Sequence, residues 1–407
     1  MNSHALLLSK ADQIYELAQI LSSEKIIAFD TEFIRESTFF PIVEIIQIAT
    51  QTQSWLVDAR AFKKNYSEGN PQSFDPGFTP LLEVFKNPGI LKIVHAAQGD
   101  QECLYTSFGE VASPIFDTAL AGSLCGYGES IGLSKLLKAV LDVDLAKGHA
   151  RTNWSVRPLP EQLIEYAHAD VIYLVALAQE LMRQLDQASR KAWAFELSAH
   201  WEKKALYQCD LEGIVQKLAR GRRLDQKSFV ALSGLVKWRE ERVRKLNLPR
   251  RWVADDQVLL DLAQVRPKDL THLSAFRGLS KGELKNSGQA ILEALHQNDE
   301  TQIVAGSKNS RARTPSQEES QVLDLLRCYV GMLADRHKIG VKHLLNSSQL
   351  LALLRCSAQD SKELNRLGIL TEEAANLIGE DLIAILKGQR ALLIRANQIE
   401  IIKVTQV

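Results

Sequence analysis

The sequence predicts an α/β domain, with a mixed sheet and flanking helices, followed by two small all-helical domains. Three observations predict it. Short Ile- and Val-rich runs separated by turn-like segments dominate the first hundred residues, helical apolar spacing follows them, and the strand signal vanishes from about residue 190 onward. At 407 residues the chain has room for two to four domains, and 45% hydrophobic with 24% charged content is ordinary for a folded protein.

The strands come first. KIIAFDTEF (25–33), VEIIQIAT (43–50) and SWLVDA (54–59) read as three successive hairpin-connected strands, and LKIVH (91–95) as a fourth. The polar, Gly- and Pro-containing stretch 64–79 between them reads as a loop. Helical patterns follow near 98–108, 117–125, 133–141 and 160–186, closing a first domain over 1–200. After a connecting segment, 201–227, helices at 228–246, 255–264 and 288–296 form a domain over 228–300. A polar stretch without apolar periodicity, 301–317, reads as a linker. Helices at 318–336, 347–356 and 379–387 make the third domain, 318–395. Asp255 and Asp256, and Ser347 and Ser348, are the expected caps of two of these helices.

The two helical domains resemble each other. DDQVLLDLA and SSQLLALLR lie 92 positions apart, whereas SGQAILEAL and IGEDLIAIL lie 91 apart, as do the long helices that begin each domain.

Composition narrows the function classes. No run of about 18 apolar residues marks a membrane span, and MNSHALLLSK meets charges too early for a signal peptide. The five cysteines (103, 125, 209, 328, 356) are scattered without a C-x-x-C pair, which reads as small buried hydrophobes in a reducing, cytoplasmic setting. Net charge is zero, yet residues 1–200 carry 16 Lys and Arg against 24 Asp and Glu, and residues 201–407 carry 33 against 25. The basic half suits a polyanion, and the acidic half then needs cations to approach one.

Asp30 and Glu32, in AFDTEF, share one strand face because they are two apart. Two carboxylates ending an apolar strand repel each other unless a cation intervenes, and a hard divalent ion is the simple remedy, an exposed strand end the plain alternative. Asp100 follows the strand ending near His95; it reads equally as a ligand or as an acid favoured by a helix N-terminus. Tyr166 and Asp170 sit one turn apart on a helix whose apolar stripe is Leu163, Ala167, Val171 and Leu174, so they read as a functional pair or as a core tyrosine beside a surface acid.

Taken in order, FDTEF, HAAQGD and ARTNWSVRPLPEQLIEYAHADVIYL (150–174) closely resemble the three motifs of the DEDD superfamily of 3′–5′ exonucleases, tyrosine subclass, and within it the ribonuclease D family. The third segment carries most of the likeness, since Arg151, Thr152, Trp154, Arg157, Pro158 and Leu159 match along with Tyr166 and Asp170. WREERVRKLNLPRRWVADDQVLLDLA (238–263) resembles the helicase-and-RNase-D C-terminal (HRDC) domain, and 320–390 resembles a more divergent copy. The loop 61–80 is longer than the family pattern.

The resemblance implies an RNase H-like sheet and two divalent ions, Mg²⁺ or Mn²⁺, about 3.5–4 Å apart, clamping the attacking and leaving oxygens of a terminal phosphodiester. It implies that Asp30, Glu32 and Asp170 hold one ion, and that Asp30 with Asp100, directly or through water, holds the other. Tyr166 would orient the attacking water. The implied partner is RNA with a 3′ end, tRNA precursors among them, with no membrane and no small-molecule cofactor. Phe33 would stack on the terminal base or belong to the core. Arg35, His95 and Arg151 would touch phosphate or ribose, or serve as structural or solvated groups. The cations of 217–227 and 237–252, beside Trp238 and Trp252, suit RNA phosphates or a solvated face. Rival readings are a DNA exonuclease with the same site, a silent RNA-binding protein, and a helical scaffold for proteins. The intact set of acids opposes the second, and the basic C-terminal half opposes the third.

Overall fold

A computed structural model describes residues 7–63, 74–145, 152–296 and 315–404. A six-stranded sheet organises the first domain, in the order β1 (Leu7–Leu8), β4 (Ser54–Asp58), β3 (Ile42–Ala49), β2 (Ile26–Ile34), β5 (Leu91–Val94) and β6 (Ile115–Asp117). Only β3 runs against its neighbours β2 and β4, and the pairs β1–β4, β2–β5 and β5–β6 are parallel.

Period-two alternation sorts β2 onto two faces. Ile27 and Phe29 face a layer made by α1 (Ala11–Ser22), α2 (Thr79–Lys86) and α3 (Gln98–Phe108). Ala28 faces the other way, toward α4 (Thr118–Leu124), α5 (Leu133–Leu141), α7 (Leu174–Gln187) and α8 (Lys191–Ala199). Between the sheet and solvent on that second face lies α6 (Glu161–Ile172), which packs on β2, β3 and β4. The helical pattern over 160–186 is thus two helices, parted at Tyr173, which ends α6 and precedes α7.

Beyond residue 200, α9 (Leu211–Ala219) lies within the stretch expected as a connection and adds Val215 to the core of the first helical module. That module continues with α10 (Gln226–Leu246), α11 (Arg250–Val253), α12 (Asp256–Val265), α13 (Leu270–Ser274) and α14 (Lys281–His296). The second holds α15 (Gln317–His337), α16 (Val341–Leu344), α17 (Ser347–Arg355), α18 (Ser361–Arg366) and α19 (Glu372–Leu386). All five helices start 91 positions after their counterparts, including the pair the sequence aligned at 92. The one-residue correction comes from capping: Asn346, not Ser347 or Ser348, caps α17, accepting from the amides of Ser348 and Gln349 in a capping box with Gln349. Asp255 holds the equivalent place before α12.

The modules attach differently. The first has its own apolar core, joined by Phe39 from the sheet domain, whereas the apolar core of the second is continuous with the helical layer around α7 and α8. Most of the linker expected at 301–317 lies outside the described residues, as does much of the loop 64–79.

Four strands correct the sequence reading: β1, two residues long, β6 and two hairpin strands. β6 is three residues long, too short to show a period, and lies just before the helix expected at 117–125. After α19 comes a hairpin of β7 (Arg390–Arg395) and β8 (Gln398–Lys403), so the second module is helical with a β-hairpin that starts inside the expected limit at 395 and runs past it. Its turn residues, Ala396 and Asn397, both have positive φ, as the tightest hairpin turns require.

Candidate active site

Asp30 and Glu32 stand on the face of β2 that α6 crosses. Opposite them on β3 lie Gln47 and Ile45, and the pairing slips between Glu32 and Phe33, a bulge immediately after the second acid. Leu163 and Ala167 anchor α6 in an apolar cluster with Ile45, Leu56 and Trp154. This fixes the helix so that Tyr166 and Asp170, one turn apart, meet the strand acids. Asp30, Glu32 and Asp170 each offer an oxygen, and these atoms lie within 4.8 Å of one another. The Tyr166 hydroxyl donates to the Asp170 carboxylate.

Asp100 reaches the site from the other layer, in the first turn of α3. It is only 5% exposed. One of its oxygens accepts both from the Thr31 amide, at 3.0 Å, and from the Thr31 hydroxyl, at 2.6 Å. Asp100 therefore stands outside the three-carboxylate group, but its charge bears on Asp30 more than that of either other acid.

Burial comes first among the forces on these groups. It raises Asp30 well above the carboxylate range, helped by Asp100, Asp170 and Glu32 in that order. Burial, then Asp170 and Asp100, lifts Glu32 to about 8. Burial lifts Asp100 to about 7 against the two Thr31 hydrogen bonds, and Asp170 to about 6 against the one from Tyr166. The charges that act most strongly on Asp30 and Glu32 are all carboxylates, with no cation among them. Gln47, fully buried and paired with Asp30 across the strands, has an amide with no partner among the described residues. An all-oxygen donor set, mutually repelling and uncompensated, fits a hard divalent cation.

This electrostatics has a pH consequence. In the metal-free protein the folded state keeps protons that the unfolded chain sheds near pH 4. The resulting stabilisation is complete below the unfolded pKa values and is lost as pH rises through about 6 to 8. A divalent ion binds the deprotonated carboxylates, so the melting-temperature gain on adding Mg²⁺ should grow from pH 5 to pH 8. A gain that does not change with pH over that range would contradict the assignment of these groups as ligands.

The other residues singled out by the sequence fall in varied places. Phe33 packs partly buried against the α1–α3 layer, and its ring lies beside Gly99, where an added Cβ would come within 3.6 Å. Arg35 forms a two-pronged pair with Glu102, at 2.6 and 2.8 Å. His95 shares a hydrogen with the Thr118 hydroxyl at 3.0 Å, and burial lowers its pKa. Arg151 lies outside the described residues. Arg157 grips Asp58 with two bonds of 2.7 Å and the Trp154 carbonyl with a third, pinning the loop before α6 to β4.

One contributor carried no motif signal. Asp117 is buried, and its oxygens accept from the amides of Ala96 and Ala97 at 2.9 and 3.0 Å. Ala96, four residues before Asp100, sits at φ 63°, so this turn is strained and Asp117 holds it. Its trace in the sequence is the acid at the N-cap of α4, where it also accepts from Ala119.

The basic segment 237–252 is divided: Lys237, Lys245, Arg250 and Arg251 are exposed, whereas others turn inward. Arg239, 1% exposed, bonds Asp256 at 2.7 Å, Arg242 bonds Glu283, and Arg250 pairs doubly with Glu240. Trp238 is buried as well. Lys217, Arg220, Arg222, Arg223 and Lys227 stay exposed, and so does Trp252.

Comparison with known proteins fits this geometry. The model of a 3′–5′ exonuclease domain matches residues 7–186, and that of the HRDC domain matches 229–295. Ribonuclease D of Bartonella henselae is 31% identical over 346 residues, which is 85% of this chain and 82% of its own. The chain belongs to the ribonuclease D family. It is accordingly a 3′–5′ exoribonuclease. Ribonuclease D of Zymomonas mobilis is 29% identical over 406 residues, covering 98% of each chain. The crystal structure of Escherichia coli RNase D, an exoribonuclease involved in structured RNA processing, shares the fold with a TM-score of 0.76 at 23% identity, covering 93% of this chain and 99% of its own. Divalent-metal use follows for this ribonuclease D family member from its exonuclease fold and its acidic cluster. No described helix is long and apolar enough to cross a membrane.

Proposed function

We propose that this exoribonuclease trims the 3′ ends of structured RNAs, tRNA precursors among them, one nucleoside 5′-monophosphate at a time, in the cytoplasm. The observation that carries the reading is the convergence of Asp30, Glu32 and Asp170 beneath the Tyr166 hydroxyl. In it, Asp30, Glu32 and Asp170 would hold one Mg²⁺ or Mn²⁺, and Asp30 with Asp100, directly or through water, would hold a second. Bound divalent ions supply Lewis-acid stabilisation of phosphodiester charge and acidify the attacking water. Tyr166 orients that water. Burial and the Asp170 charge raise its own pKa, which keeps the phenol neutral and makes it a hydrogen-bonding group rather than a nucleophile. The attacking oxygen forms the new bond to phosphorus as the bond to the leaving 3′ oxygen breaks, and that oxygen takes up a proton.

Upstream nucleotides are held by the exposed cations of 217–227 and by Trp252, contacts that follow phosphate and stacking faces rather than base identity. A 3′-extended tRNA provides the test. With Mg²⁺ it should shorten in single-nucleotide steps with release of 5′-monophosphates. EDTA should stop the reaction, and Mg²⁺ or Mn²⁺ should restore it. A DNA strand with the same overhang, degraded as fast as the RNA, would favour the repair-nuclease alternative. Undiminished turnover in EDTA would end the metal reading.

A further inference from the structure

The wall of the cleft beside Tyr166 and Asp170 is the segment joining α4 to α5, which lines a cavity of about 690 Å³ together with those two residues. Glycine makes this wall costly to order. It contains Gly126, Gly128 and Gly132, the first two at positive φ, and a glycine-rich segment gives up much conformational freedom when it is ordered. From its own domain the wall is tied by Tyr127, whose hydroxyl bonds Gln184 at 3.1 Å, and by a bond between His95 and the Ile131 backbone.

Backbone bonds to Gly122 and Ser123 and the packing of Tyr127 and Ile131 on the core add to these, and further ties come from the second helical module, through the turn between α15 and α16 and the start of α16. The Lys342 amide donates to a Glu129 carboxylate oxygen at 3.1 Å, and its ammonium reaches the Glu129 carbonyl and, at 3.4 Å, the Ser130 hydroxyl. Lys338 lies against Gly126, where an added Cβ would come within 3.1 Å of it. Arg190 staples the pair by donating to the carbonyls of Leu124 and His337, each at 2.8 Å.

The first module uses the corresponding turn in the same manner. Asn247, 91 positions before Lys338 and also in the left-handed region, accepts from the amides of Phe39 and Phe40 at 3.1 and 3.0 Å. Arg244 and Arg250 lie over the Phe39 ring. Phe39 and Phe40 belong to the segment that leads from the strand carrying Asp30 and Glu32 into β3.

We infer that the second helical module is a brace for the substrate cleft, with Lys342 a positioning residue that orders the 126–132 wall against which RNA is seated. The inference rests on the cleft being the RNA site. Ordering the wall before RNA arrives removes an entropic cost from binding, so the brace acts on KM and leaves the chemical step alone.

Two variants of the full-length protein test it, with hydrogen exchange of the 126–132 amides and steady-state kinetics on a short single-stranded RNA as readouts. Lys342→Ala should speed exchange across the wall and raise KM about 3- to 10-fold, with kcat within twofold. Lys342→Arg, which can donate to the same carbonyl, should restore both. Gly340→Ala is a wedge: its Cβ would fall 2.6 Å from Glu129 Cγ and 2.7 Å from Ser123 Oγ, while its φ of −63° accepts alanine without strain. It should reproduce the Lys342→Ala effects in a protein that melts normally. Unchanged exchange in both variants overturns the brace. A raised KM with unchanged exchange overturns it too, and shows instead that the module itself touches RNA. The exchange readout needs no activity, so failure of the exonuclease reading would be seen separately, as an inactive wild type with a braced wall.

Discussion

Asp30→Asn should lower the exonuclease rate at least about 10³-fold with little loss of RNA affinity. The estimate follows from what Asp30 touches. It is the acid shared by both proposed ion positions, it lies with Glu32 and Asp170 in the three-carboxylate group, and the charge of Asp100 bears on it most. A bound divalent ion is worth several kcal/mol to such a transition state, and each ~1.4 kcal/mol is a factor of ten in rate. The amide keeps the size of the side chain and removes its charge. It also relieves repulsion among buried acids, so the metal-free variant should melt at or above the wild-type temperature. Rate and melting temperature measured together separate a lost ligand from a damaged fold. Wild-type turnover by Asp30→Asn would remove the ion site from the mechanism.

Tyr166→Phe is expected to be the milder lesion, lowering kcat about 10- to 1000-fold, a range that overlaps the lower part of the about 10²- to 10⁴-fold span of positioned proton-handling groups and extends below it. The ring is retained, so its packing near Trp154, with centroids 6.2 Å apart, survives. What disappears is one hydroxyl, together with the hydrogen bond that holds the Asp170 pKa down against burial. Without that bond Asp170 protonates more readily, so the acid limb of the kcat profile should move to higher pH while KM and metal dependence stay near wild type. Equal kcat values for the two proteins would free Tyr166 of any role.

The acids were legible in the sequence because chemistry restricts them. Two carboxylates at the end of an apolar strand, and a Tyr–Asp pair at helical spacing, are costly without a purpose. Asp117 was not legible, because an acid at a helix N-cap already has a sufficient local explanation and its grip on Ala96 depends on a turn from another part of the chain. Strands β2, β3 and β4 stood out as Ile- and Val-rich runs between turns, whereas β1 and β6, with two and three residues, were too short to do so. The hairpin of β7 and β8 went unread, since its strands do not alternate and its turn pair is Ala-Asn rather than a glycine-containing one. Within 237–252 the inward turn of particular charges was not legible, because sequence counts charges but does not place them. Arg239 and Glu240 face inward on α10, each with a partner brought by a later segment.

Asp30 and Glu32 lie near the beginning of the chain and Asp170 well beyond its first third, and the three become neighbours only when α6 closes over the sheet. A polypeptide still leaving the ribosome therefore presents an incomplete ion trap until that helix has emerged and docked. The group of three acids in this exoribonuclease is thus completed late, after the strand that carries the first two has already been made.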